Sequence, residues 1–184
     1  MQANKWKAMA VVAGVMASAS ASAQSTGGAF GSAGQFVISS DASGNLGYTT
    51  EGAGYGFIRL NPSVDYFLKE NLSIGSGVDI AAAFYDGDTV AAFGLNARVG
   101  YNIPLGEKVS VWPKGTVTLF LGDNILALQD GTGSAATVLL EGYAPFLYHV
   151  TPHFFVGAGP RLSIGLGDDV DVTISVGTTV GGYF

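Results

Sequence analysis

The 184-residue sequence contains no cysteine, few charged residues and only two histidines. Without cysteine, the chain has neither a disulfide framework nor a thiolate metal site. Asp, Glu, Lys and Arg together make up 12% of the residues, which is about half the usual share in soluble domains. The net charge of -6 offers no basic surface to a nucleic acid, so we expect no nucleic-acid partner.

Long apolar runs are also missing, although the mean hydropathy is high at +0.36. The run Ala8–Ala17 holds about ten residues, whereas a membrane-spanning helix needs roughly 20. It follows two lysines and precedes the small residues Ala21-Ser22-Ala23. This order predicts a secretory signal peptide over 1–23, cleaved before Gln24. High hydropathy without a spanning run is typical of apolar residues that alternate along transmembrane strands.

Beyond residue 33 the sequence alternates between apolar and small or polar residues. In the last segment Val172, Ile174 and Val176 share one face, and a period of two predicts a strand with different surroundings on its two faces. Eight such segments are predicted, over Gly34–Ser40, Tyr55–Phe67, Leu72–Tyr85, Thr89–Tyr101, Val109–Leu121, Ala136–Tyr148, Phe154–Ile164 and Val170–Phe184. The fold class predicted is all-β, an eight-stranded antiparallel up-and-down transmembrane β-barrel over 34–184, preceded by a periplasmic segment over 24–33.

The chain resembles the small outer-membrane β-barrel superfamily, a porin-like group with an eight-stranded domain. The resemblance lies in the strand–turn–strand from Arg59 to Gly75 and in the final Gly182-Tyr183-Phe184. It implies that Tyr183 and Phe184 form the signal read by the barrel assembly machinery. It also implies a place in the cell outer membrane, among lipid and lipopolysaccharide. Relatives include anchors, adhesins, narrow pores and a few enzymes, so the fold does not decide the function.

The predicted inward face carries equal numbers of positive and negative charges. They are Arg59, Arg98, Lys114 and Arg161 against Asp65, Asp79, Glu141 and Asp171. The interior of an eight-stranded barrel is just wide enough to be filled by side chains, and an unpaired buried charge is costly. We therefore expect a salt-bridged lumen. A selective pore lining is the alternative.

Acidic residues are predicted in the outer loops and aromatic residues at the periplasmic rim. The loop acids are Asp41, Glu51, Asp86, Asp88, Asp123, Asp130, Asp168 and Asp169. The rim carries an aromatic girdle of Tyr66, Tyr101, Phe146, Tyr148 and Phe154, joined by Phe67, Phe155, Tyr183 and Phe184. Aromatic rings favour the interface between membrane and water. Trp112 is a further candidate, although alternation turns it inward.

Four prolines fall within predicted strands, where proline removes a hydrogen-bond donor. Pro62, Pro113 and Pro145 are expected near periplasmic strand ends, whereas Pro160 is central and has no explanation in the sequence. Both histidines, His149 and His153, are predicted in one periplasmic turn. A hydrolase of outer-leaflet lipid would need a base at the opposite rim.

The sequence therefore predicts a monomeric, non-enzymatic outer-membrane protein with a structural or surface-interaction role. No cofactor or metal is expected, because Asp86-Gly87-Asp88 and Asp168-Asp169 lack the spacing of a calcium loop. Two other functions stay open: a narrow channel for small solutes, and a soluble secreted β-barrel or sandwich.

Overall fold

The computed structural model describes residues 29–48, 54–85, 88–121, 136–167 and 170–184. Within these ranges, the backbone alone is described at 45–48, 54–55, 83–85, 88–90, 136–137 and 171. The predicted signal peptide lies outside the described residues. So do the predicted loop acids Glu51, Asp86, Asp123, Asp130, Asp168 and Asp169, and the side chain of Asp88.

The described residues form one antiparallel sheet that closes on itself. Its strands are β1 Phe36–Tyr48, β2 Gly54–Lys69, β3 Leu72–Tyr85, β4 Asp88–Tyr101, β5 Ile103–Pro104, β6 Val109–Val111, β7 Lys114–Leu121, β8 Ala136–Tyr143, β9 Phe146–Thr151, β10 Phe154–Gly167 and β11 Val170–Tyr183. The sheet is closed because β11 pairs with both β10 and β1. The pairs β6/β7 and β8/β9 each fill one barrel position, and the short β5 pairs only with β6. The predicted eight-stranded antiparallel barrel is confirmed.

The first strand is longer than predicted. β1 continues to Tyr48 and remains paired with β2 as far as Tyr48 and Gly54, so the connection spans 49–53 instead of 41–54. The sequence Asp-Ala-Ser-Gly-Asn contains turn-forming residues, but pairing with β2 along the whole stretch and with β11 as far as Ala42 overrides that preference. The prediction that Asp41 lies in an outer loop was therefore wrong, because Asp41 lies within the strand and is buried.

Pro62 lies in the middle of β2, which contradicts its predicted position near a strand end. The ladder between β2 and β3 pairs Leu60 with Ile80 and Ser63 with Gly77, and it skips the two positions between them. Because proline has no N–H, an interruption of the ladder at this point is expected.

Pro113 and Pro145 lie at two breaks in the barrel wall, and Pro160 lies opposite the second break. Trp112 and Pro113 separate β6 from β7, and Ala144 and Pro145 separate β8 from β9. The carbonyl of Pro160 accepts a hydrogen bond from the Ala144 N–H over 3.0 Å. In an antiparallel sheet the N–H and C=O of one residue face the same neighbour. The donor that Pro160 lacks therefore faces the second break, which accounts for a proline in the centre of β10.

The two faces of the strands differ as the alternation predicts. On the outward face the exposed side chains are large and apolar, among them Ile58, Leu60, Phe93, Leu95, Val117, Leu119, Val172, Ile174 and Val176. Among the described side chains within strands, Lys69 at the end of β2 is the one exposed charge. Within the described ranges, no helix has the length and hydropathy needed to cross a membrane.

Candidate functional site in the lumen

The lumen is filled by three sections stacked along the barrel axis. The end that carries Phe36 and Phe184, here called the termini end, contains an aromatic cluster. A polar section follows, and an apolar layer at the opposite end contains Phe57, Ala81, Ala92, Phe120 and Leu139. The order follows from alternation, because every second residue of a strand faces the same interior.

The first half of the polar section links two acids to two cations. Arg98 on β4 donates from Nε to Asp65 Oδ1 over 2.8 Å and also pairs through Nη2 with the same carboxylate. Its Nη1 lies 3.3 Å from Asp41 Oδ2. The Lys114 Nζ lies 2.7 and 2.6 Å from the two oxygens of Asp41. Each of these buried charges therefore has an opposite charge within hydrogen-bond distance, as buried ions require.

The second half of the polar section is centred on Arg59. Its Nε donates to Asp79 Oδ1 over 2.5 Å, and its Nη1 donates to Glu141 Oε2 over 2.6 Å. The other oxygen of Asp79 accepts bonds from Asn61 at 2.7 Å, Thr118 at 2.9 Å and Asn96 at 3.3 Å. Asp79 is fully buried, and this set of donors satisfies its carboxylate.

Arg161 is the least paired of the four cations. Its Nε lies 3.8 Å from Glu141 Oε1, and its Nη1 donates to Ser43 Oγ over 3.1 Å. The guanidinium lies over the Tyr143 ring, 4.5 Å from the centroid. Nε and Nη2 have no hydrogen-bond partner within the described part of the chain. Asp171 was also predicted on this inward face, but its side chain is not among those that the structure describes.

The described lumen holds four cations and four anions, although one anion differs from the predicted set. The cations are Arg59, Arg98, Lys114 and Arg161, and the anions are Asp41, Asp65, Asp79 and Glu141. Sequence reasoning missed Asp41. Alternation along β1 does place Asp41 on the same face as Val37 and Ser39. The turn-forming residues that follow Asp41 led instead to the prediction of a loop.

The aromatic cluster contains Phe30, Phe67, Trp112, His149, Phe155 and Tyr183, with Val37 and Leu147 beside them. Phe67, Phe155 and Tyr183 were predicted to join the aromatic girdle at the membrane interface, and this was wrong. Phe67 and Phe155 are fully buried inside the barrel. Trp112 also points inward, as alternation indicates, and its Nε1 donates to Ser73 Oγ over 3.3 Å. These rings pack edge to face and stacked at centroid distances typical of aromatic pairs.

The five residues of the predicted girdle lie on the outer surface near the termini end. Tyr101, Phe146, Tyr148 and Phe154 are exposed, and Tyr66 is half-buried against Phe36, with 4.8 Å between ring centroids. Phe36 was not among the predicted girdle residues. Phe184 exchanges two backbone hydrogen bonds with Phe36, at 2.9 and 3.0 Å, so the last residue pairs with the first residue of β1.

His149 does not lie in a turn as predicted. It belongs to β9, is buried, and has Nε2 3.1 Å from Ser110 Oγ and Nδ1 3.4 Å from the Tyr183 hydroxyl. His153 does lie in the turn before β10, with Nδ1 3.1 Å from the Tyr183 carbonyl. Among the described residues, no group of three or more His, Asp or Glu side chains is placed to hold a metal ion.

These features define a class of protein: a closed eight-stranded barrel with an apolar outer face and a filled, charge-paired interior. The N-terminal β-barrel domain of OprF from Pseudomonas aeruginosa has a similar structure, with a TM-score of 0.56 and 16% identity over 83% of this chain and 98% of that chain. Outer membrane protein H (OprH) from P. aeruginosa matches with a TM-score of 0.45 and 14% identity, covering 83% of this chain and 99% of that chain. The likeness to the OprF domain shows the fold, a closed eight-stranded β-barrel. No protein-family model matches the sequence, and no curated protein matches it.

Proposed function

We propose that the protein is a non-enzymatic, monomeric barrel of the cell outer membrane with a structural or surface-interaction role. The observation that carries this proposal is the polar section of the lumen. Its charges are paired with one another and lie between an aromatic cluster and an apolar layer. A pore lining would present charges to water, whereas these side chains are buried against each other. The role we assign to the network is therefore to fill and rigidify the barrel.

The outer surface supports a place in a lipid bilayer. In water, an exposed apolar face of this extent would drive aggregation, whereas in lipid it is the expected surface. The aromatic residues near the termini end match the girdle that anchors barrels at a membrane interface. We propose that this end faces the periplasm, that residues 1–23 are removed as a signal peptide, and that Tyr183 and Phe184 are recognised by the assembly machinery.

Conductance measurements test the proposal against its alternative, a narrow channel for small solutes. Purified protein inserted in planar bilayers is expected to produce no steps of current across salts and voltages. Reproducible steps of current that disappear when Lys114 or Arg161 is replaced would favour the channel. A protein that folds without detergent into a water-soluble monomer would exclude both membrane functions.

The surface role we propose is contact with lipopolysaccharide through divalent cations held by the acidic loop residues. It is motivated by the acids Glu51, Asp86, Asp88, Asp123, Asp130, Asp168 and Asp169 and the lack of Lys or Arg in the same predicted loops. Carboxylates are the oxygen ligands that calcium and magnesium prefer. Chelation should lower the retention of lipopolysaccharide by the purified barrel, and retention unchanged by chelator would remove this part of the proposal.

An enzyme remains a weaker interpretation. Ser110 and His149 have the distance of a nucleophile and its base. The third group in contact with His149 is the Tyr183 hydroxyl, which is not an acid able to stabilise an imidazolium. The Ser110 side chain is buried. We therefore assign this chain of hydrogen bonds to the packing of the aromatic cluster.

A further inference from the structure

The centre of the aromatic cluster is Phe30, which belongs to no strand. Its ring centroid lies between 5.1 and 5.3 Å from the rings of five residues on the barrel wall, which are Phe67, Trp112, His149, Phe155 and Tyr183. The side chain is 8% exposed. We call these five rings the socket and residues 29–35 the plug. The plug includes the described part of the segment 24–33, which was predicted to lie outside the barrel.

Hydrogen bonds to backbone groups of the plug hold it to β2, to the turn after β2 and to the link between β4 and β5. The carbonyl of Gly31 accepts from the Asn71 N–H over 2.7 Å, and the carbonyl of Phe30 accepts from Asn102 Nδ2 over 3.0 Å. Gly34 N–H donates to the Phe67 carbonyl over 2.8 Å. The plug is therefore held in two ways. The ring of Phe30 packs against the socket, and the backbone groups of the plug form hydrogen bonds with the barrel.

Gly31 is the position that makes this docking feasible. Its φ is +101°, a conformation that residues with a side chain rarely adopt. A Cβ at this position would lie 2.6 Å from Asn71 Oδ1 and 2.8 Å from Asn102 Nδ2. A side chain at residue 31 would therefore push the plug away from the two asparagines while leaving the ring of Phe30 unaltered.

The socket exists only when the barrel is closed. Its rings come from β2, the break before β7, β9, β10 and β11, so they surround the lumen from well-separated positions around the sheet. Tyr183 lies on β11, which closes the barrel by pairing with β1. Phe30 gains its full set of contacts only after that pairing has formed.

We propose that residues 29–35 act as an intramolecular plug that docks into the aromatic socket after barrel closure and keeps the closed barrel from opening. The socket is thus an interaction surface for one aromatic side chain, supplied in the native protein by Phe30. Contacts absent from the folding transition state slow unfolding without speeding folding. The plug is expected to act in this way.

Trp112 provides a direct reporter, because its ring centroid lies 5.3 Å from that of Phe30. In a full-length chain carrying Trp6→Phe, Trp112 is the remaining tryptophan. The variants Phe30→Ala and Gly31→Val are refolded into phosphatidylcholine vesicles beside the control Phe57→Ala, which alters the apolar layer at the opposite end. Emission of Trp112, unfolding rate and folding rate are measured for each.

Phe30→Ala and Gly31→Val are both expected to shift the Trp112 emission and to raise the unfolding rate by at least about ten-fold, with little change in folding rate. Phe57→Ala should leave the Trp112 emission unchanged. A seven-residue peptide with the sequence of 29–35 should restore the emission of a chain that carries both Phe30→Ala and Gly31→Val, because the valine displaces the chain's own plug. The same peptide with alanine in place of phenylalanine should not.

Three results would overturn the proposal. Unchanged emission and unfolding rate in both plug variants would show that the plug does not hold the barrel closed. A loss of stability expressed mainly in the folding rate would show that the plug docks before closure. Emission of the doubly substituted chain that neither peptide alters would show that the socket does not accept an aromatic side chain on its own.

Discussion

The inward and outward faces of β4 and β7 contain side chains of opposite character, separated by a single residue along the chain. Asn96 and Arg98 face a network of acids and amides, whereas Leu95 just before them and Val99 just after them are exposed. Both faces depend on a partner that the strand itself does not supply. Inward residues find it on other strands, and under the proposed function the outward residues find it in lipid. The difference shows that polarity alone does not indicate whether a barrel residue is exposed.

Loss of the Arg98 charge should lower the free energy of unfolding more than any other substitution considered below. Arg98→Met removes the partner of Asp65 and one partner of Asp41, and breaking a buried pair in this way costs about 3–5 kcal/mol. Arg161→Met is the matched control, because Glu141 would keep its bond to Arg59. Equilibrium guanidinium unfolding in vesicles should show a clearly smaller loss for the control. Equal losses would mean that the two cations are equally paired.

A charge on the outward face should have the next largest effect. Leu95→Arg places a cation on the exposed side of β4, at an expected cost of roughly 2–4 kcal/mol if this position lies near the bilayer midplane. Leu105→Arg is the control, since Leu105 is exposed in the turn between β5 and β6. The same vesicle assay should show little change for the control. Tolerance of arginine at position 95 would contradict a lipid-facing surface.

Substitutions at two glycines compare the crowded inward face of the wall with the open outward face. A Cβ at inward Gly77 would lie 2.5 Å from the Pro62 carbonyl and 2.7 Å from the Ser63 Cβ, whereas a Cβ at outward Gly142 would meet nothing within 4 Å. Gly77→Ala should therefore lower the free energy of unfolding by about 1–3 kcal/mol through overpacking. Gly142→Ala should be neutral or slightly stabilising. The reverse order in thermal unfolding would show that the lumen is looser at Gly77 than these distances indicate.

Removal of a single hydroxyl group should have the smallest effect on the free energy of unfolding. Thr118→Val removes one of the donors to buried Asp79 and should cost about 1–2 kcal/mol. Thr178→Val makes the same change on the outward face of β11, where we expect no loss. Chemical unfolding of the two variants side by side measures the difference. A neutral Thr118→Val would indicate that the two asparagines satisfy Asp79 without the hydroxyl.

The sequence was sufficient for the barrel and for the faces of most strands. The period of two over segments such as Leu72–Tyr85 matches β3 residue for residue, because alternation between an inward and an outward face is a local property of a strand. The predicted lumen residues whose side chains are described all point inward. Where turn-forming residues coincide with a strand, as after Asp41, local preference misled the prediction.

Other features could not be predicted because they depend on residues far apart in the chain. Phe67, Phe155 and Tyr183 were assigned to the periplasmic girdle by their aromatic character, yet they enclose Phe30 inside the barrel. His149 was assigned to a turn for its polarity, yet it bonds Ser110 and packs on Phe30. The position of Pro160 depends on the strand break at Ala144, whose N–H bonds the Pro160 carbonyl.

The sequence by itself determined which side chains face inward, because alternation assigns a face to each residue without knowledge of its neighbours. Only the tertiary structure decided which charges pair, which proline positions are tolerated and what fills the termini end of the lumen. These depend on how β11 closes on β1 and on the strand breaks beside Pro113 and Pro145. Closure brings together residues separated by most of the chain, and no local pattern contains that information.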